Sequence, residues 1–198
     1  AMKNYLAAEE IANEARPGSL SPQLSGLVDR MQRIVDQLRL FGRNDPAKSD
    51  QFAVTDAIRT AVSLVQHTAD AAQVVLTLDL AQTPMRTRGQ ANRFEQVLVN
   101  LLRNAIDAVA DSPERSVVLR LIDGDDILIE VADTGPGLGA LDMDDLKEPF
   151  FSTKPSGVGM GLGLAISAQI INEMGGTLHA ETARTGGAVF RICLPKVT

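Results

Sequence analysis

Residues 51–198 alternate between segments whose apolar residues recur with a helical period and segments whose apolar residues alternate as in strands. Helical spacing predicts three helices, at Thr55–Thr68, Ala91–Ala110 and Gly161–Met174. Alternation and β-branched composition predict five strands, at Val74–Leu80, Val117–Ile122, Ile127–Ala132, Thr177–Glu181 and Ala188–Leu194. This order predicts an α+β fold, a two-layer sandwich in which one mixed sheet carries its helices on one face.

A coiled-coil seam marks the N-terminal region. Six apolar residues are spaced alternately three and four apart: Leu24, Leu27, Met31, Ile34, Leu38 and Phe41. A shorter segment rich in Ala and Glu, Lys3–Ala15, precedes the seam across the turn-forming Arg16-Pro17-Gly18-Ser19. We predict a helical hairpin. So regular a seam favours association with another helix pair over packing of the hairpin on its own domain.

The segment Gly42–Asp50 has the Gly, Asn, Asp, Pro and Ser composition of a linker. We therefore predict a hairpin at 1–42, a linker at 43–50 and a second domain at 51–198. Charge supports this division, because residues 1–50 carry equal numbers of basic and acidic side chains. The whole net charge of −6 belongs to the second domain.

Composition narrows the classes of function. A net charge of −6 argues against a nucleic-acid partner. No apolar run approaches the roughly 18 residues of a membrane span, so we predict a cytoplasmic location. Any inner-membrane anchor of the parent protein is expected in missing upstream regions. The single cysteine, Cys193, excludes an internal disulfide, and its apolar neighbours predict a buried thiol.

The predicted helix near residue 100 carries a polar face. Asn100, Asn104 and Asp107 lie four and three residues apart, so they share one side of the helix. Carboxamide oxygens on one face suit a magnesium ion that keeps water and phosphate oxygens among its ligands. Solvated polar residues would give the same pattern, and the spacing alone does not decide between the two interpretations.

A short polar segment, Asp133-Thr134-Gly135-Pro136-Gly137, follows the apolar strand that ends at Ala132. A carboxylate at a strand end can accept a hydrogen bond from an exocyclic amine, and the two glycines let the backbone approach a flat ring. An ordinary turn has the same composition, and the pattern by itself favours the turn.

Two further segments are adjacent, Glu148–Lys154 and Gly157–Leu164. The second has glycines at every other position before a helix, which fits neither a Rossmann motif nor a P-loop. Bare amides at a helix N-terminus would receive phosphate oxygens. Lys154 could add a point charge there. Phe150 and Phe151 could hinge a lid or simply pack in the core.

In this order the four segments resemble the asparagine, first glycine, phenylalanine and second glycine boxes of the histidine kinase catalytic domain. That family belongs to the ATP-binding superfamily of gyrase, Hsp90 and MutL, whose fold is of the Bergerat type. The resemblance covers residues 51–198. Only Pro155-Ser156 separates Lys154 from Gly157, a short lid similar to that of kinases that sense dicarboxylates or oxygen.

The resemblance implies phosphoryl transfer from ATP with Mg²⁺. It gives catalytic roles to Asn100 and Lys154, and it makes Asn104 the magnesium ligand with help from Asn100. Asp133 would bind the adenine amine. The implied nucleotide contacts are Asn104, Asp107, Asp133, Gly135, Gly137, Phe150, Thr153, Gly159, Gly161, Leu162 and Gly163.

The hairpin resembles the dimerisation and phosphotransfer region of these kinases, which implies a homodimer and a response regulator receiver domain as partner. Residues 1–50 contain no histidine. We interpret His67 and His179, the only two in the chain, as structural. In the family, a segment resembling His-Glu-x-x-Gln-Pro-Leu-Ala-Ala precedes a stretch similar to Met2-Lys3-Asn4-Tyr5. The resemblance therefore implies a phosphate acceptor roughly ten residues, or about 15 Å of helix, before Ala1. The chain alone should not autophosphorylate.

Three other interpretations compete. An ATPase of the gyrase or Hsp90 kind has a glutamate four residues before its magnesium asparagine, whereas this chain has Asn100, which cannot act as a base. A serine kinase of the anti-sigma type normally lacks the hairpin. A nucleotide-binding pseudokinase scaffold is disfavoured because every box is intact.

Overall fold

The computed structural model describes residues 50–139, 162–183 and 186–197. The chain divides into two compact units, Ala1–Gly42 and Arg43–Thr198. All the described residues belong to the second unit. The predicted hairpin, its seam and the linker up to residue 49 lie outside them, so the three-part division of the chain stays a prediction.

The described part of the chain contains three helices and seven strands. In chain order they are β1 (Asp50–Ala53), α1 (Val54–Ala71), β2 (Val75–Leu80), β3 (Arg86–Gly89), α2 (Ala91–Val109), β4 (Ser116–Asp123), β5 (Ile127–Asp133), α3 (Gly163–Glu173), β6 (Thr177–Thr182) and β7 (Ala188–Leu194). Eight of these elements are predicted by the sequence, and the structure confirms each with bounds shifted by at most three residues. The short strands β1 and β3 are additional.

Five strands form one mixed sheet in the order β2-β4-β5-β7-β6. Strand β2 runs parallel to β4, with Val75 opposite Ser116. The other neighbouring strands are antiparallel. A parallel pair needs a crossover, and the chain between β2 and β4 supplies it through β3 and α2. The predicted mixed sheet is therefore confirmed.

The core lies between this sheet and the helices. In β5 the buried side chains alternate, at Ile127, Ile129 and Val131. Helix α2 packs on β4 and β5, and α3 packs on β6. Helix α1 buries residues three or four apart, namely Val54, Ala57, Ile58, Ala61, Val65 and Ala69. Each large aliphatic side chain buried here contributes about 1.5–3 kcal/mol.

A second, two-stranded sheet fixes the start of α2. Strand β1 pairs antiparallel with β3. On the other side of β3, Thr87 Oγ1 donates a hydrogen bond to the Pro195 carbonyl at 3.0 Å, and the Val197 amide donates to the Arg86 carbonyl at 2.9 Å. Strand β3 is thus held on both sides. Because only Gln90 separates it from α2, it also fixes where that helix begins.

The face of the sheet away from the helices carries a row of ion pairs that crosses all five strands. Arg120 on β4 lies 3.9 Å from Asp79 on β2 and 3.7 Å from Glu130 on β5. Arg191 on β7 contacts Glu130 at 2.6 Å and Glu181 on β6 at 2.7 Å. The hydrogen bond to Glu130 raises the pKa of Arg191 above its usual value. Cations and anions therefore alternate across this face.

The cysteine and the two histidines lie outside the predicted site, and all three are at least partly exposed. Cys193 is half-buried on the face of β7 that carries Arg191, so the expectation of a buried thiol is wrong. The strand alternation places Ile192 and Leu194, not Cys193, beneath the helices. His67 on α1 and His179 on β6 are both exposed.

Candidate functional site

Helices α2 and α3 run antiparallel and are joined at two levels. Arg93 Nη1 contacts Glu173 Oε2 at 2.5 Å near the start of α2 and the end of α3. Further along α2, Asn100 Nδ2 donates a hydrogen bond to Ser167 Oγ at 3.1 Å. The start of α2 therefore lies beside the end of α3. The first residue of α3, Gly163, lies near Asn100 in the middle of α2.

Electrostatics strengthen the first of these contacts. Partial burial raises the pKa of the Glu173 carboxyl, but hydrogen bonds from Arg93 and from Gln169 Nε2, the latter at 2.9 Å, outweigh burial. The pKa of Glu173 consequently lies below its usual value. The start of α2 and the end of α3 are thus joined through Glu173, which stays ionised at neutral pH.

Gly163 lies directly against the Asn100 side chain. A Cβ atom added at Gly163 would come within 2.4 Å of Asn100 Oδ1, so a larger residue here would displace the Asn100 side chain. The preceding Leu162 is buried and its carbonyl accepts the Ile166 amide at 3.0 Å. The first amides of α3, which have no partner within the helix, therefore lie beside α2 at the level of Asn100. Helix N-terminal amides favour an anion.

Asn104 and Asp107 occupy the next two turns of α2, beyond the start of α3. Asn104 is half-buried, and its side chain has no hydrogen-bond partner within the described part of the chain. No group of three or more His, Cys, Asp or Glu residues among the described residues could hold a metal ion. An Mg²⁺ ion would fit here with an asparagine oxygen as ligand, because magnesium keeps several water and phosphate oxygens in its coordination sphere.

The other end of the site is a buried carboxylate. Asp133, the last residue of β5, is only 6% exposed. Its Oδ1 accepts the Gly135 amide at 2.8 Å and the Ala188 amide at 3.1 Å. Oδ2 has no partner within the described residues, and no fully buried side-chain oxygen or nitrogen there lacks one. Among the described residues Oδ2 is therefore left to accept a hydrogen bond from a ligand.

Two glycines allow the close contacts around Asp133. Gly187 has φ +83°, and a Cβ atom there would lie 1.8 Å from the Asp133 carbonyl oxygen. A Cβ atom at Gly135 would lie 2.9 Å from the carbonyl oxygen of Ala108 on α2. The roles of Gly187 and Ala188 beside Asp133 were not predicted from the sequence. The one sequence feature that indicates a close backbone contact there is the Gly186-Gly187 pair immediately before β7.

The turn after β5 is fastened on two sides. Thr134 Oγ1 accepts the Ser116 amide at 3.0 Å. The Leu138 amide donates to Thr182 Oγ1 at 3.1 Å, and Gly137, with φ +77°, brings its backbone against the Thr182 side chain. The segment that carries Gly135 and Gly137 is therefore held by β4 and β6.

The described site residues are aligned along α2. Gly163 contacts Asn100, Gly135 contacts Ala108, and Asn104 lies between these points. Eight residues of helix correspond to about 12 Å. An elongated ligand with a hydrogen-bond donor at one end and an anionic group at the other would match this arrangement.

The remaining predicted site residues, Phe150, Thr153, Lys154, Gly159 and Gly161, lie outside the described residues. Their roles stay predictions.

Residues 89–198, more than half of the chain, match the family of histidine kinase-, DNA gyrase B- and HSP90-like ATPases. The chain belongs to this family. It is 34% identical over 174 residues to the C4-dicarboxylate transport sensor protein DctB of Pseudomonas aeruginosa, covering 87% of this chain and 28% of DctB. It is 30% identical to the sensor histidine kinase ZraS of Klebsiella oxytoca, covering 95% of this chain and 40% of ZraS. The chain thus spans well under half of these relatives.

Solved structures of histidine kinases share the fold. A mycobacterial sensor histidine kinase, MprB, is 26% identical with a TM-score of 0.64, covering 75% of this chain and 97% of the MprB chain. The histidine kinase ThkA, solved in complex with the response regulator TrrA, has a TM-score of 0.70 at 23% identity, covering 92% of this chain and 53% of the ThkA chain. No helix in the described part of this ATPase-family chain is long and apolar enough to cross a membrane.

Proposed function

We propose that this chain binds Mg-ATP and is the catalytic core of a two-component sensor histidine kinase, which transfers the γ-phosphoryl group to a histidine. The observation that carries the proposal is the buried Asp133 beside the C-terminal end of α2, about two helical turns along α2 from the α3 N-terminus at Asn100. Membership of the ATPase family and relatives that are sensor kinases support the same conclusion.

The adenine end is set by Asp133. Two main-chain amides hold Oδ1, so the carboxylate cannot rotate freely and Oδ2 keeps one direction. Oδ2 would accept the exocyclic amine of adenine, while Gly135 and Gly137 border the ring. Guanine presents a carbonyl at the equivalent position, which would face the carboxylate without a hydrogen bond.

The phosphate end is set by α2 and α3. Asn104 would hold magnesium through its side-chain oxygen, with Asn100 beside it at the first residue of α3. The first amides of α3 would receive phosphate oxygens. Bound magnesium supplies neutralisation of the phosphate charge. Asp107 would lie on the same face of α2, and Phe150, Thr153, Lys154, Gly159 and Gly161 are proposed to complete the contacts.

Phosphoryl transfer to an imidazole needs positioning and charge neutralisation rather than a strong base, because the imidazole nitrogen is itself the nucleophile. Asn100 suits this reaction, since its carboxamide cannot take a proton from water. It is also engaged with Ser167. ATP hydrolysis of the gyrase or Hsp90 kind should therefore be slow.

The acceptor histidine is proposed to belong to a segment that this chain does not contain, because residues 1–50 hold no histidine. The hairpin is proposed to form a homodimer through its seam. A response regulator receiver domain is the proposed next acceptor, in line with the ThkA complex. The parent kinase would present this chain in the cytoplasm.

Calorimetry of Asp133→Asn tests the proposal. The variant should bind ATP about ten- to a hundredfold more weakly, since a hydrogen bond to a charged group contributes about 1.5–3 kcal/mol. Asp125→Asn, at an exposed aspartate in the turn after β4, is the matched control and should bind like the parent chain. Equal affinity of the parent chain for ATP and GTP would remove the role given to Asp133.

A further inference from the structure

Ser167 is a buried polar residue at the contact between α2 and α3. It is 2% exposed, and its Oγ accepts a hydrogen bond from Asn100 Nδ2 at 3.1 Å. It follows Gly163 by one helical turn, so both residues face the same carboxamide. A buried hydroxyl without a partner is unfavourable, which makes this hydrogen bond more than incidental.

The two ends of the Asn100 carboxamide have different surroundings. Nδ2 lies at Ser167, whereas Oδ1 is the atom nearest to the place where a Cβ of Gly163 would be. Because a hydroxyl can both donate and accept, this hydrogen bond holds the Asn100 carboxamide in place in either orientation. The Ser167 hydroxyl therefore fixes where the Asn100 side chain lies against the start of α3.

The same contact sets the spacing of the two helices. Because Gly163 has no side chain, the Asn100 side chain lies directly against the α3 backbone at this level. At the other end of α3, Arg93 and Glu173 hold the helices together. The position of the first α3 amides relative to Asn104 therefore depends on how the Asn100 carboxamide is held.

We propose that Ser167 is a positioning residue for the Mg-nucleotide site. It acts through Asn100, holding that side chain in place and with it the distance of the α3 N-terminus from Asn104, without touching the nucleotide. The proposal rests on the proposed function, since it assigns Ser167 a part in the same site.

A double-mutant cycle tests this role on the 198-residue chain. Ser167→Ala should weaken Mg-ATP binding about three- to tenfold, the range expected for one hydrogen bond. Adenosine, which has no phosphate, should bind as it does to the parent chain because Asp133 is untouched. In an Asn100→Ala background, Ser167→Ala should have no further effect on Mg-ATP affinity. Ser63→Ala, at an exposed serine of α1, is the matched control.

Three outcomes separate the possibilities. Equal losses of Mg-ATP and adenosine affinity would assign Ser167 a general structural role and overturn the proposal. Additive effects of the two alanine substitutions would do the same. If the parent chain binds no Mg-ATP, the proposed function itself has failed. Should Ser167→Ala not fold, Ser167→Cys offers a weaker hydrogen-bonding group of similar shape, and the same pattern of losses is expected from it.

Discussion

The main-chain amide of Ala188 donates a hydrogen bond to Asp133 Oδ1 at 3.1 Å, joining residues 55 positions apart in the chain. It connects the end of β5 to the start of β7. The adjacent Gly187 packs on the Asp133 carbonyl. The connection between β6 and β7 therefore helps to hold the carboxylate that we propose as the adenine contact.

Gly187→Ala should destabilise the fold and weaken ATP binding. The added Cβ would overlap the Asp133 carbonyl, and φ of +83° is strained for alanine. The strain alone costs about 1–3 kcal/mol, and the overlap adds to it. Gly186→Ala is a close control, because Gly186 has φ +90° but no atom within 4 Å of the added Cβ. Equal losses of unfolding free energy in urea would show that the overlap with Asp133 is unimportant.

Asn104→Ala should abolish the magnesium dependence of nucleotide binding, because it removes the proposed ligand oxygen. Titration of ATP by calorimetry, with magnesium and with excess chelator, should give the same weak affinity for the variant and a large difference for the parent chain. Asn172→Ala, at an exposed position of α3, controls for the loss of an asparagine. Parent-like Mg-ATP binding by Asn104→Ala would refute the ligand assignment.

Incubation with radiolabelled ATP should leave no acid-labile phosphate on the chain. Both of its histidines are exposed, so burial does not protect them, and the result is expected because neither is the proposed acceptor. Adding a separate hairpin that bears a histidine should yield labelled hairpin. Mass spectrometry that locates stoichiometric phosphohistidine at His67 or His179 would instead place the acceptor within this chain.

The Arg93–Glu173 contact should lose its stabilising effect in acid. The pKa of Glu173 is lowered in the fold, so its contribution is present above the unfolded glutamate pKa of about 4.3 and is lost as pH falls through the lower folded value. Urea unfolding should show Glu173→Gln less stable than the parent at neutral pH, and this difference should shrink as the pH falls below about 4.3. Glu114→Gln, at an exposed glutamate, should show no such convergence.

Local patterns predicted most of the fold because its long elements have strong periodicity. Helix α2 and strand β5 are recognisable from their own apolar residues. The apolar run of β5 also predicts that Asp133 lies at the end of a strand. Strands β1 and β3 are only four residues long and read DQFA and RTRG, so they carry no apolar alternation. They form because each pairs with the other and because β3 also bonds to residues near position 196.

Contacts between segments that are far apart in the chain could not be predicted from sequence patterns. Asn100, Asn104 and Asp107 are predicted on one face from their spacing alone, but nothing local indicates that Ser167 binds Asn100. The partners are 67 residues apart. The same limit applies to Ala188 and Asp133. The sequence therefore predicted which candidate side chains share a helix face, but not which residues hold them in place.

The antiparallel pairing of β5 with β7 brings Ala132 opposite Val189 and closes a long loop of chain. A slip of this pairing by one residue would move every side chain of the slipped strand to the opposite face of the sheet. It would also carry the Ala188 amide away from Asp133 Oδ1. The register of β5 against β7 therefore determines where the Asp133 carboxylate lies.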